Sequence, residues 1–304
     1  MLALLVGFTL VLLALPTGTA WAHEGEPLAP HDLWGAWNRN PAIWLGIFLV
    51  GWFYGRGVLA LWEKAGTGRG TARWQAAAFT GGLLVLVLAL VSPLDALSGA
   101  LFSAHMLQHL LLMLVAAPLL TLGTPPAALA WSVPGSWRVG LGRWWHNQAF
   151  VRTGWRALRH PLVVWILHAA ALLVWHLPAY YQAALQSEFL HLLEHASFLG
   201  TALLFWWILV QINAHSHFSF GIGILYVFSM AMYSGILGAL ITFSRQAWYP
   251  IYAASTTTWG LTPLEDQQLA GVLMWVPANF IYLIATLLLL KAWLTAMEKR
   301  DLLE

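Results

Sequence analysis

Apolar residues gather into seven long runs, at about 41–62, 74–92, 103–122, 161–185, 189–212, 221–243 and 264–293, separated by shorter polar stretches. Wound as helices, these runs are long enough to cross roughly 30 Å of hydrocarbon. The pattern predicts an all-α membrane protein with seven transmembrane helices over residues 41–293. A shorter apolar run, residues 2–15, comes first and closes on Ala20-Trp21-Ala22, a signal-peptidase pattern. Residues 1–22 therefore read as a cleaved signal peptide, with residues 23–40 as a short extracytoplasmic leader. An uncleaved anchor is the alternative, because no Lys or Arg precedes the apolar core.

The basic residues between the runs orient them. Lys64, Arg69 and Arg73 precede the second run, and Arg138, Arg143, Arg152, Arg156 and Arg159 precede the fourth. Arg56, Lys291, Lys299 and Arg300 complete twelve of the fourteen Lys and Arg, all on one side, leaving Arg39 and Arg245 on the other. The positive-inside rule then sets the N-terminus outside and the C-terminus in the cytoplasm, with residues 294–304 as a cytoplasmic tail. The loop 123–160 mixes tryptophans with these arginines and reads as amphipathic helix at the cytoplasmic interface. Helix starts are legible too: Ser92-Pro93-Leu94-Asp95, Ser187-Glu188 and the capping box Thr262-Pro263-Leu264-Glu265. Gly51-x3-Gly55 suggests close helix packing.

Composition agrees. The 304 residues are 60% hydrophobic and 9% charged, against about 25% charged in ordinary soluble domains. A net charge of +2, carried by dispersed basic residues, gives no nucleic-acid surface. The absence of cysteine excludes disulfides, thiolate metal sites, iron–sulfur clusters and cysteine nucleophiles. Twelve histidines make imidazole the obvious metal ligand.

Four of those histidines form two pairs at helical spacing, His105/His109 and His191/His195, near the starts of the third and fifth runs. Residues i and i+4 lie on one helix face about 6 Å apart, so each pair offers two imidazoles to one ion. Inside a membrane such groups are costly and mark function by default. The third, fifth and seventh runs all travel inward, so both pairs fall in the outer leaflet, and the fourth run brings His176 to the same layer. His105, His109, His176, His191 and His195 are thus the candidate metal ligands, with His168 deeper and outside the layer. Met113 continues the His105/His109 face, and a thioether shifts preference toward Cu(I). Glu194 is placed to fix an imidazole tautomer, Gln108 holds the matching position in the other pair, and Asp266 and Gln267 join the layer from the seventh run. His23, once a free N-terminus, and His31 form a possible secondary copper-capture site. The bland alternative is a polar hydrogen-bond network that locks the bundle.

His105-Met106-x-Gln108-His109 with its Leu-rich run to Pro118, Trp175-His176-x-Pro178, His191-x2-Glu194-His195, and Asp266-Gln267-Gln268-x2-Gly271 with Trp275 together resemble the CtaG-type cytochrome c oxidase assembly factors. These are polytopic bacterial plasma-membrane proteins, and the resemblance covers most of residues 40–295. It implies an accessory protein, not an enzyme, with copper as the ion, the bilayer as surroundings and cytochrome c oxidase subunits as partners. Two other readings remain open. His191-x2-Glu194-His195 fits the H-x-x-E-H pattern of a zinc hydrolase, and histidines on separate helices are able to ligate haem.

Overall fold

The computed structural model describes residues 28–123, 125–212 and 219–301. The expected signal peptide, residues 1–22, and His23 lie outside the described residues. Among the described residues there are helices and no strands. In chain order they are α1 (Pro41–Ala65), α2 (Arg73–Leu90), the short α3 (Pro93–Ser98) and α4 (Phe102–Leu122). Three lesser helices follow, α5 (Pro125–Trp131), α6 (Gly135–Asn147) and α7 (Ala149–Leu158). Then come α8 (Pro161–His176), α9 (Pro178–Gln186), α10 (Glu188–Val210), α11 (Phe220–Thr242) and α12 (Pro263–Asp301).

Six of these, α1, α2, α4, α10, α11 and α12, are long and apolar enough to cross a membrane. A seventh span arises if α7 and α8, which meet at a 69° bend, are taken together. The fourth run is therefore not the single helix over 161–185 that its hydropathy predicts. It breaks after His176 because the ring of Pro178 drives the preceding residue out of the helical region, and Leu177 is extended at ψ 127°. Pro178 then opens α9 as a fresh helix. The tail also departs from expectation, since α12 continues through it to Asp301, carrying Pro277 within the helix.

The helix starts follow their capping signals. Ser92 and Ser187 accept backbone N–H bonds from Leu94 and Leu190. Thr262 and Glu265 bond reciprocally, the Glu265 carboxylate accepting from Thr262 N at 2.8 Å and Thr262 Oγ1 accepting from Glu265 N at 3.2 Å. In the arginine-rich stretch, the Arg138 and Arg159 guanidinium groups lie over the rings of Trp131 and Trp155, with Trp137 and Phe150 exposed.

Helix α4 is the hub: most of it is buried, and it packs on α2, α10 and α12. Helices α11 and α12 pack as a pair with Gly238 and Gly271 against each other's backbone, where a Cβ on either would collide. The comparable close approach on α1 is at Gly57, against the backbone of Ala128, and not at Gly55, which faces open space. Large apolar side chains such as Phe48, Leu84, Leu225, Phe280 and Leu288 remain exposed around the bundle, as lipid-facing surfaces must.

One local departure from the α-helix matters for the site. Leu111–Ala116 winds as a π turn, and Ala117 N bonds to Leu112 O, five residues back. The next N–H in that series is missing because residue 118 is proline, which would leave Met113 O without a partner. The indole of Trp206 on α10 supplies it, donating to Met113 O at 2.8 Å.

Candidate metal centre

Helices α4 and α10 present their histidine pairs to each other at the end of the bundle where both helices begin. His105 and His109 are buried, with their Nε2 atoms 2.8 Å apart. His191 and His195 have ring centroids 4.3 Å apart, and His105 lies 5.3 Å from His191 and 5.8 Å from His195, centroid to centroid. Glu194 is fully buried between the pairs, its two oxygens 3.7 Å from His105 Nε2 and 3.7 Å from His109 Nε2. Two donor sets result, each with ligand atoms within 4.8 Å of one another: His105/His109/His195, and His105/His191/Glu194.

Whether these residues suit an ion is decided by their unmet bonding. His109 Nδ1, His191 Nε2, His195 Nε2 and both Glu194 oxygens are buried and have no hydrogen-bond partner. Each such atom costs about 1–3 kcal/mol when left unsatisfied, so the four between the two pairs make an improbable hydrogen-bond network and a well-supplied ligand set. A carboxylate 3.7 Å from an imidazole nitrogen is beyond hydrogen-bonding distance. Ligands that share a small ion at bonds of about 2.0–2.2 Å sit at roughly that spacing from one another.

Three tyrosines that the apolar pattern does not single out close the end of the cluster. Tyr252, in the loop between α11 and α12, donates to Ser98 O at 3.0 Å. Its oxygen therefore accepts from Tyr181 OH at 2.6 Å and lies 3.4 Å from His105 Nδ1. That neighbour assigns the His105 proton to Nδ1 and leaves a lone pair on Nε2, facing the cluster. Tyr249 donates to His176 O at 2.7 Å. Burial holds all three phenols above their ordinary pKa, so they act as neutral donors.

The remaining expected site residues are placed differently. His176 is at the margin, its centroid 6.5 Å from that of His109; its Nδ1 donates to Leu172 O at 2.6 Å and its Nε2 faces Met106 Sδ. Gln108 points away from the cluster, donating to Ala89 O at 2.7 Å and to Asp95 Oδ1 at 2.8 Å. Asp95 also accepts from Asn38 Nδ2, and burial pushes its carboxyl up to about 6 despite these two bonds, which pull it down. Asp266 accepts from Phe102 N at 2.7 Å and from Ser103 N at 3.1 Å. It thus caps α4 from α12, the start that bears His105. Gln267 holds the loop between α11 and α12 through Trp248 N and Gln246 O. Met113 lines a cavity on the inner side of His109. His31 is exposed, 3.3 Å from Asp32, and is not part of the cluster.

A model of the family described as cytochrome c oxidase caa3 assembly factor (Caa3_CtaG) matches residues 52–296. The chain belongs to that family. The matched span takes in α4, α8, α10 and α12, and so contains both histidine pairs and Glu194. The chain is also 25% identical over 218 residues to an uncharacterized protein of Mycobacterium bovis and to another of Mycobacterium tuberculosis. Each alignment covers 70% of this chain and 33% of the relative, so the chain spans about a third of the length of these curated relatives. No solved structure matches it.

Proposed function

We propose that this Caa3_CtaG member binds copper as cargo at the α4/α10 cluster and passes it to the nascent oxidase. Its place is the bacterial plasma membrane, N-terminus outside, with the cluster just beneath the extracytoplasmic face. The observation that carries this reading is the set of four buried, unpartnered atoms, His191 Nε2, His195 Nε2 and both Glu194 oxygens, within a four-histidine, one-carboxylate cluster. In this scheme His105 serves both donor sets, His109 and His195 complete the first, and His191 and Glu194 complete the second. Neutral imidazoles suit either copper oxidation state, and Glu194 supplies the one negative charge that offsets the charge of a buried ion. The two α10 histidines are partly accessible while the α4 pair is sealed, which favours transfer from the α10 side. The haem reading fares worse, because the rings of α4 and α10 lie directly against each other and leave no slot for a flat macrocycle.

Metal analysis of protein purified in mild detergent tests the proposal. Copper is expected to co-purify or to bind on addition, and H191A/H195A is expected to lose the cluster-bound ion. Unchanged copper binding in that folded double variant removes the site, and zinc as the bound metal with hydrolytic activity lost in E194Q restores the hydrolase reading.

A further inference from the structure

Below the cluster, on its bundle-interior side, a cavity of about 30 Å³ is lined by three methionines, Met106, Met113 and Met274, and by His109, His168 and His176. Its volume is that of a single water or small ion. No carboxylate lines it.

The protons of its histidines are accounted for by their neighbours. Thr201 spends its hydroxyl hydrogen on Ser197 O at 2.7 Å, so it accepts from His168 Nδ1 at 2.9 Å. His176 Nδ1 can bond to Leu172 O only by donating, since a carbonyl oxygen has no proton to give. Both rings are thereby held with Nδ1 protonated and Nε2 carrying a bare lone pair. His176 Nε2 then lies 3.3 Å from Met106 Sδ. A lone-pair nitrogen and a thioether sulfur have no hydrogen between them, so this contact is no hydrogen bond; it is two donors converging. His109 also lines the cavity, and its Nδ1 is buried and unpartnered.

The position of Met113 has its own cause. The π turn that Pro118 permits, with Trp206 holding Met113 O, sets that residue one helical turn below His109 on the cavity wall. Met274 approaches from α12, completing three thioethers from two helices.

We infer that this cavity is a second metal subsite, selective for Cu(I), built from His168, His176, Met106, Met113 and Met274 and adjoining the upper cluster through His109. Soft thioethers and neutral imidazoles favour a monovalent soft ion, and a divalent ion buried without a carboxylate is disfavoured by its larger desolvation cost. The upper cluster differs in just this respect, having Glu194. The subsite deepens the copper reading above and rests on it for the supply of the ion, which His109, lining one site and belonging to the other, joins to the cavity.

The test is Cu(I) titration of the full chain in detergent, against a chromogenic chelator, with copper K-edge absorption on the same samples. Wild type is expected to hold about one more Cu(I) than M106L/M113L/M274L, whose exchanges conserve volume. Sulfur neighbours are expected in the wild-type spectrum and not in that of the triple variant. H191A/H195A is expected to keep the sulfur signature while losing the upper ion. Full Cu(I) stoichiometry in the triple variant, or a wild-type spectrum with nitrogen and oxygen neighbours alone, overturns the subsite. Loss of copper in the triple variant with none lost in H191A/H195A sinks the upper cluster and leaves the subsite standing. Should the triple variant fail to fold, the wild-type spectrum decides.

Discussion

Helices α4 and α10 carry nearly the same five-residue pattern, His-x2-Gln-His at 105–109 and His-x2-Glu-His at 191–195, yet the two halves of the cluster do different things. The α4 half is an anchored frame. Its start is capped by Asp266, Gln108 ties it to Ala89 and Asp95, and Tyr252 adjoins His105. The α10 half is the open one: His191 and His195 are partly accessible, and their Nε2 atoms and both Glu194 oxygens have no hydrogen-bond partner. Equal spacing thus makes the two pairs meet, and the residue three places after the first histidine decides what each half contributes. Glu194 turns into the cluster, whereas Gln108 turns out of it.

Exchanging the unlike members tests that contrast most severely. Glu194→Gln keeps the size of the side chain and removes its charge, and is expected to lower copper affinity about 10–100-fold in a chelator competition, the usual cost of an altered metal environment. The same loss in Gln108→Ala would erase the distinction. That variant is instead expected to retain its copper stoichiometry and to lose about 1–3 kcal/mol of stability, because Ala89 O and the buried Asp95 each lose a donor. Thermal unfolding in detergent, followed by intrinsic tryptophan fluorescence, reads this directly.

Smaller effects sharpen the picture of α4 as a frame. Asp266→Asn removes the charge from a cap that serves two backbone N–H groups and the Ser103 hydroxyl, and about 1–2 kcal/mol of stability should go with it. Copper binding should persist in this variant once folded; its abolition would make Asp266 part of the ligand set. Tyr252→Phe is the mildest change, about 0.5–1.5 kcal/mol, since it deletes one bond to Ser98 O and the acceptor of Tyr181. Its copper off-rate is expected to rise if the tyrosine cap limits escape, measurable by stopped-flow transfer to a chelator.

Much of this molecule is readable before folding is considered. The capping signals at Ser92, Ser187 and Thr262 begin helices where expected, because a cap is satisfied by donors two or three residues away and needs no distant partner. The break after His176 has its own local signal in Pro178, although hydropathy runs straight through it. Of Gly51-x3-Gly55, Gly51 packs closely on Leu83 while Gly55 faces open space, and the close backbone approach is at Gly57 because its partner, Ala128, is far along the chain.

The residues that define the cavity were less accessible to sequence reasoning. Met106 and Met274 look like ordinary apolar positions, and His168 lies two turns from His176, deeper in the bundle than the histidine layer. Only the packing of α8 on α10 and α11, and of α12 on α4, brings them to one wall. The π turn has a visible trace in Pro118, but its outcome depends on Trp206, donated by another helix. Asp266 and Gln267, expected to join the histidine layer, instead hold α4 and the loop between α11 and α12, since the direction of a short polar side chain is set by whichever donor lies nearest in space.

What the amino-acid order determined alone was the apolar runs, their caps, and the repeated spacing that sets two imidazoles on one face of each of two helices. Those are properties of neighbours along the chain, governed by helical period and by the cost of unpaired backbone groups. The tertiary structure decided which polar atoms find a partner and which are left bare. That outcome depends on contacts between helices far apart in sequence, and in a buried, low-dielectric interior it separates a hydrogen-bonded frame from a set of candidate ligands.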